Sequence, residues 1–270
     1  MRNISGMINK STVKYIQSLR TKKFRDLHNA FIAEGPKVVT EFLENDLFKY
    51  EAIYCTAAGA QLLRDKLKDK VPSELSLAID FELEKISSLD TANKVVGIFK
   101  KKPSSGDTDY SGKLTLVLDD IQDPGNLGTI IRIADWFGIE NIICSPATAD
   151  CYNPKVVQST MASLGRVNIV YENLPEIFEL NKNIRKYAAV LGGEDISGIG
   201  KIAEGFVIIG NESKGISEAL LGHVNKKISI SKIGEAESLN AGVAAGIILF
   251  SLTNPLGKTP SAVENPDGGL

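Results

Sequence analysis

Histidine is nearly missing from this chain, with two in 270 residues, and tryptophan occurs once. His28 and His223 fall in no motif, so a histidine-based hydrolase lacks its base. The cysteines Cys55, Cys144 and Cys151 are scattered without CxxC spacing, which excludes a disulfide framework and leaves no expected metal. A reduced, cytoplasmic setting is expected. No apolar run is long enough to span a bilayer, and the opening MRNISGMINKSTVKYI has no secretory apolar core, so no membrane partner is expected. Neither a GK[ST] phosphate loop nor a GxGxxG fingerprint follows any strand-like segment, which argues against a dinucleotide oxidoreductase. What is present, 43% hydrophobic and 24% charged residues, is the profile of a soluble globular protein.

Net charge is −2, but it is unevenly spread. Residues 1–102 carry 18 Lys and Arg against 13 Asp and Glu, and residues 103–270 carry 13 against 20. A basic first part on an acidic remainder points to a polyanion, with Lys14, Arg20, Lys22, Lys23 and Arg25 as the expected contacts.

Periodicity divides the chain. Residues 9–20 read as a helix, with Val13, Ile16 and Leu19 at helical spacing. Strands are expected at 31–33, 50–55, 75–79 and 94–99, and helices at 37–44, 58–69 and 81–89, with Pro36 in a first helical turn. This makes residues 1–101 a small α/β domain. Residues 102–112, rich in Pro, Ser and Gly, read as a linker, and 255–270 as a mobile tail. From 113 to 254 strands (114–118, 141–144, 167–170, 187–191, 206–209) alternate with helices (126–137, 155–164, 174–181, 217–221), which implies a mostly parallel sheet. The segment 226–252 reads as strand, loop and helix, with Ser238 as the helix N-cap. No charge occurs from Leu239 to Leu252, so this helix is expected in a core or a subunit interface.

Three loops follow strand ends, where parallel α/β proteins place their sites. The first is DDIQDPGNLG, leading into the helix that holds Arg132. The second is IGNESKG, with Glu212 between two glycines. The third ends in Ser238, Leu239 and Asn240. Alone, Asn126 reads as a helix cap and Arg132 as a surface ion-pair residue.

Together, DPGNLGTIIRIADWFGI, IIGNESKGIS and ESLNAGVAAGIILF resemble, in order and spacing, the three motifs of the SpoU (TrmH-like) RNA ribose 2′-O-methyltransferases. The stretch KYIQSLRTKKFRDLHNAFIAEGPKVVTEFL resembles the substrate-binding domain that often precedes them, itself similar to an RNA-binding ribosomal-protein fold. The resemblance implies helices on both faces of the sheet, a deep trefoil knot, a homodimer, S-adenosylmethionine as cofactor and RNA as substrate, ribosomal rather than transfer RNA. It puts Leu191, Gly192, Gly210, Ile230 and Leu239 around the cofactor. It puts Asn126, Arg132, Glu212, Ser238 and Asn240 at catalytic positions. Two departures stand out. Ile230-Ser231-Lys232 replaces a frequent Ile-Pro-Met, which implies a looser loop, and Thr160-Met161-Ala162 replaces a frequent Ser-Met-Gly. The other reading is a non-catalytic RNA-binding or assembly protein that retains the knotted fold.

Overall fold

A computed structural model describes residues 8–89, 91–103 and 108–254. The expected tail and the middle of the expected linker lie outside these residues.

The first sheet holds four strands, β1 (Ala30–Glu34), β2 (Tyr50–Cys55), β3 (Ser76–Leu77) and β4 (Val95–Lys100), in the order β1-β4-β2-β3. Helices α1 (Lys10–Ser18), α2 (Lys22–His28), α3 (Pro36–Glu44), α4 (Ala57–Leu67) and α5 (Asp80–Ile86) surround it. Pro36 opens α3, where its missing N–H costs nothing. Two expectations change. The strand expected over 75–79 shrinks to two paired residues, and α2 was not expected, because its sequence has no apolar periodicity.

The second sheet holds six strands, all pairs parallel: β5 (Leu114–Leu118), β6 (Asn141–Cys144), β7 (Asn168–Tyr171), β8 (Lys186–Asp195), β9 (Gly205–Ile209) and β10 (Lys226–Ser229). The helices are α6 (Pro124–Trp136), α7 (Pro154–Thr160), α8 (Leu174–Leu180), α9 (Glu218–Leu221) and α10 (Ala241–Thr253). β5 and β9 are buried at every position, so apolar residues fill both faces of these central strands. The strand order β10-β8-β9-β5-β6-β7 winds from β5 outward through β6 to β7, then returns to the other side. The neighbours β5 and β9 mark that reversal. Loops leaving them diverge and open a crevice at the carboxyl edge.

The two sheets share one core. Phe31 of β1 packs on Tyr152, in the loop between β6 and α7, at 4.8 Å between ring centroids, and one cluster of buried side chains runs through both sheets. Arg166 reaches Glu41 at 3.4 Å. Lys102 N donates to the Tyr152 hydroxyl at 3.1 Å, so the start of the expected linker is docked on the second sheet. Arg25 is the strongest tie. It is 2% exposed, bonds the Asp150 carboxylate at 2.9 and 2.5 Å, and donates to the carbonyls of Leu19 and Arg20. Arg25 is therefore corrected from a polyanion contact to a structural ion pair, because its charge is neutralised away from solvent.

Candidate active site

The crevice is built from the loops after β5 and β9. Asp119 N donates to the Ile209 carbonyl, and the Asp119 carboxylate accepts from Ser217 N at 2.7 Å, tying the two loops together. Asp120 turns the chain in left-handed backbone (φ 59), held by the Ser145 hydroxyl at 2.6 Å. Asp123 then caps α6 by accepting from Asn126 N at 2.8 Å, with Pro124 behind it. This sets Asn126 in the first turn, with its side chain directed at the second loop.

That loop is closed on itself. Asn211 and Gly215 exchange backbone hydrogen bonds at 3.0 and 2.9 Å, and the Asn211 side-chain oxygen accepts from Ser213 N and Lys214 N. A side chain on Gly210 would collide with the backbone of Gly215, so glycine is required there by the loop's own folding. The turn carries Glu212 at its outer edge. Asn126 Nδ2 donates to Glu212 Oε1 at 2.6 Å, and Asn240 Nδ2 donates to Asn126 Oδ1 at 2.7 Å. Asn240 Oδ1 accepts from Gly242 N and Val243 N at 2.9 and 3.2 Å. The amide orientations follow from this chain. A helix terminus can only donate to Asn240, and a carboxylate can only accept from Asn126.

Asn240 is thus the N-cap of α10, and Ser238 is corrected from that role; the helix begins two residues later than Leu239. α10 lies on α6 with Gly242 against Thr129, where an added Cβ would stand 2.9 Å from the threonine methyl. Close packing thus accounts for glycine in the first turn of α10, whereas at mid-helix Gly246 an added Cβ would make only ordinary contact with Ile133, at 3.5 Å. Within this chain α10 is buried on one side only. Val243, Ile247 and Phe250 are 50%, 39% and 52% exposed.

Beside the Asn126–Glu212–Asn240 chain lies a cleft of about 580 Å³. Ile209, Ile228 and Ile248 line its apolar part. Of the expected cofactor residues, Leu191, Gly210, Ile230 and Leu239 line it and Gly192 does not. Of the expected catalytic residues, Glu212 and Ser238 line it, so Glu212 belongs both to the cleft and to the amide chain. Arg132 is exposed on α6 and joins neither; no hydrogen bond or ion pair holds its guanidinium among the described residues. At the departed Pro position, the Ser231 hydroxyl donates to the Asp195 carboxylate at the end of β8, and the residues that follow, 232–240, are all exposed. Asp195 also accepts from Ser197 N at 2.7 Å, and hydrogen bonds from Ser197 hold its carboxyl below the usual range.

Among the basic residues, Lys14 and Lys23 are exposed, Lys22 pairs with Asp26 at 2.9 Å, and Arg20 donates to the Ser87 carbonyl. Asp119, Asp123 and Asn211 were missed as site-shaping residues. The Asp123-Pro124 pair is a legible helix start, whereas the partners of Asp119 and Asn211 lie far along the chain. No group of three or more metal-ligating side chains occurs among the described residues, and no described helix is long and apolar enough to cross a membrane.

This arrangement of loops has counterparts. The SpoU rRNA Methylase family matches residues 113–250, just over half of the chain. The chain belongs to this family. The MRM3-like substrate binding domain matches residues 10–97, the region of the first sheet. Among relatives of the SpoU family, the 23S rRNA (guanosine(2553)-2′-O)-methyltransferase RlmP of Bacillus subtilis is 29% identical over 93% of this chain and 99% of its own. A TrmH-family RNA methyltransferase structure from Porphyromonas gingivalis aligns with a TM-score of 0.79 at 30% identity, covering 91% of this chain and 98% of that one. An AdoMet-bound rRNA methyltransferase from Sinorhizobium meliloti aligns at 0.77 and 31%, covering 92% and 95%.

Proposed function

We propose that this SpoU-family protein methylates a ribose 2′-hydroxyl in ribosomal RNA, with S-adenosylmethionine held in the cleft. The observation that carries the reading is the hydrogen-bonded chain Asn240–Asn126–Glu212 at the rim of an apolar cleft. The cleft's size and apolar lining suit a nucleoside-sized ligand. Leu191, Gly210, Ile230 and Leu239 would hold the cofactor there. The cofactor supplies an electrophilic methyl group on its sulfonium.

The protein's own residues do the rest. Asn126 and Asn240 fix Glu212 in place. Of the assigned side chains, only Glu212 is a carboxylate, so a proton leaving the hydroxyl goes to it or to water. Arg132 binds the neighbouring phosphate and stabilises negative charge developing on the oxygen. Ser238 positions the ribose at the cleft mouth. The first sheet holds the RNA, with Lys14 and Lys23 as its free cations.

The working unit is a homodimer. Val243, Ile247 and Phe250 form an uncharged exposed stripe on α10, which packs on α6, the helix that carries the exposed Arg132 and the 84% exposed Trp136. A second copy would cover this stripe. Phe250→Glu would yield a monomer in light scattering; an unchanged mass would remove the dimer reading. The trefoil knot and a cytoplasmic setting complete the proposal. α10 returns from the β10 edge to pack on α6, and three buried free thiols suit a reducing compartment.

The test is transfer of tritiated methyl groups to ribosomal RNA from cells lacking the gene, with mapping of the 2′-O-methylated position. One labelled ribose supports the reading. Cofactor binding without label on any RNA overturns it in favour of a non-catalytic RNA-binding protein.

A further inference from the structure

A surface helix ordinarily buries an apolar stripe. α2 does the reverse. Of its seven residues only Arg25 is buried, while Phe24 and Leu27 are 36% and 69% exposed. The guanidinium of Arg25 holds the helix through Asp150 and two carbonyls, which leaves the apolar side chains free to face outward. Their rings are already ordered. Phe24 and His28, one turn apart, lie 6.4 Å between centroids and 14° from parallel. Tyr15 meets the edge of His28 at 5.0 Å and 89°. Lys23 Nζ stands 6.0 Å from the Phe24 ring centroid.

The position of α2 is also set. Asp150, its anchor, is in the loop after β6, next to Ala149, whose N–H donates to the Ile121 carbonyl at 2.9 Å. Ile121 is in the loop that leads to Asn126. α2 therefore stands on the same carboxyl edge of the sheet as the Asn126–Glu212 chain. Lys22 and Lys101 are neutralised by Asp26, at 2.9 and 2.6 Å, while Lys14 and Lys23 have no ion pair among the described residues. The exposed rings of Phe24 and His28, with Lys23 beside them, fit a base with its phosphate, since every base has a face that stacks on an aromatic ring.

We propose that Phe24, Leu27 and His28 form a stacking platform for an unpaired base of the substrate RNA, with Lys23 and Lys14 on the adjoining phosphates. This rests on the RNA-methyltransferase reading and adds the place where a nucleotide away from the target ribose is held.

The test uses the full-length protein and a protein-free 23S rRNA transcript, with affinity read by filter binding and turnover by methyl transfer. Phe24→Ala should weaken the Kd and raise the KM roughly tenfold, the size of one lost base–aromatic stack. Phe24→Tyr should stay near the wild-type value. Leu27→Ala, at a largely exposed position, should weaken binding without disturbing the fold. Cofactor affinity by calorimetry should be unchanged in all three. Unchanged Kd in both Phe24→Ala and Leu27→Ala overturns the platform, and a protein partner for this face then takes its place. The outcomes separate the two readings. Methyl transfer with unchanged Kd removes the platform alone. Binding that depends on Phe24 without any methyl transfer keeps the platform and removes the methyltransferase reading.

Discussion

Asn126 donates its side-chain N–H to the Glu212 carboxylate at 2.6 Å, across 86 residues of sequence. The bond joins the loops of two adjacent parallel strands at the point where the sheet reverses its winding. Asn240 completes it from the third loop, so three segments meet on one amide.

Breaking that junction should cost turnover rather than folding. Asn126→Ala and Glu212→Ala remove exposed or half-exposed side chains and should leave the melting temperature near that of the parent. Each should slow methyl transfer at saturating RNA roughly a hundredfold, as loss of one preorganised polar contact does. Turnover within a few-fold of the parent in both variants would remove the chain from the mechanism.

Arg132 stands apart from that junction and has no protein partner among the described residues. Arg132→Ala should keep cofactor binding by calorimetry and lose most methyl transfer. Arg132→Lys should recover only part of it, because an ammonium cannot make the bidentate phosphate contact of a guanidinium. Near-normal turnover in Arg132→Ala would exclude a role in the reaction.

Arg25→Ala would leave Asp150, 11% exposed, facing an emptied site. Removing one partner of a buried pair should cost about 3 kcal/mol, visible in urea unfolding. The double variant with Asp150→Ala should be less destabilised than the sum of the two single variants. Simple additivity would mean the two groups are not coupled.

Ala162 is buried and in left-handed backbone at φ 74, where the family often has glycine. Ala162→Gly relieves that strain and should raise stability by about 1 kcal/mol. For a domain of this size that is a rise of about 3 °C in melting temperature by calorimetry. A fall would mean the methyl group's packing outweighs the strain.

Burial pushes the Cys55 thiol up from 9.0 to about 11 and Cys151 to about 12. The folded state thus holds protons that the unfolded chain releases above its ordinary thiol value. Their contribution to stability is complete below pH 9.0 and is lost as pH rises through about 11 for Cys55. Native protein at about pH 8 should not react with a thiol-specific chromogenic disulfide, and urea should expose three thiols. Fast reaction of the folded protein would contradict this burial.

Local pattern was a good guide where a segment's own residues decide its state. The nearly all-apolar run Leu114–Leu118 is the strand β5 at the expected residues, and Pro36 opens α3 as expected. α2 was hidden because its core contact is an arginine, and no apolar spacing announces a guanidinium whose carboxylate is 125 residues away. The start of α10 was misplaced for a related reason. Ser238 and Asn240 both suit an N-cap, and Asn240 is the one whose amide is also fixed by Asn126, 114 residues earlier. Gly210 lines the cleft as the resemblance implies, and the folded loop adds a reason for glycine that local sequence does not carry, the backbone of Gly215 pressed against it.

The sequence by itself determined the α/β class, the ordered motif loops and the residue types that carry the chemistry. These follow from apolar periodicity and from turn residues acting over a few positions. Only the tertiary structure decided that Asn126, Glu212 and Asn240 form one chain, that Arg132 stays outside it, and that Arg25 serves the core. The first and the last are contacts between segments far apart in sequence. Such partners are selected by how the sheets close and how helices pack, which no local preference encodes.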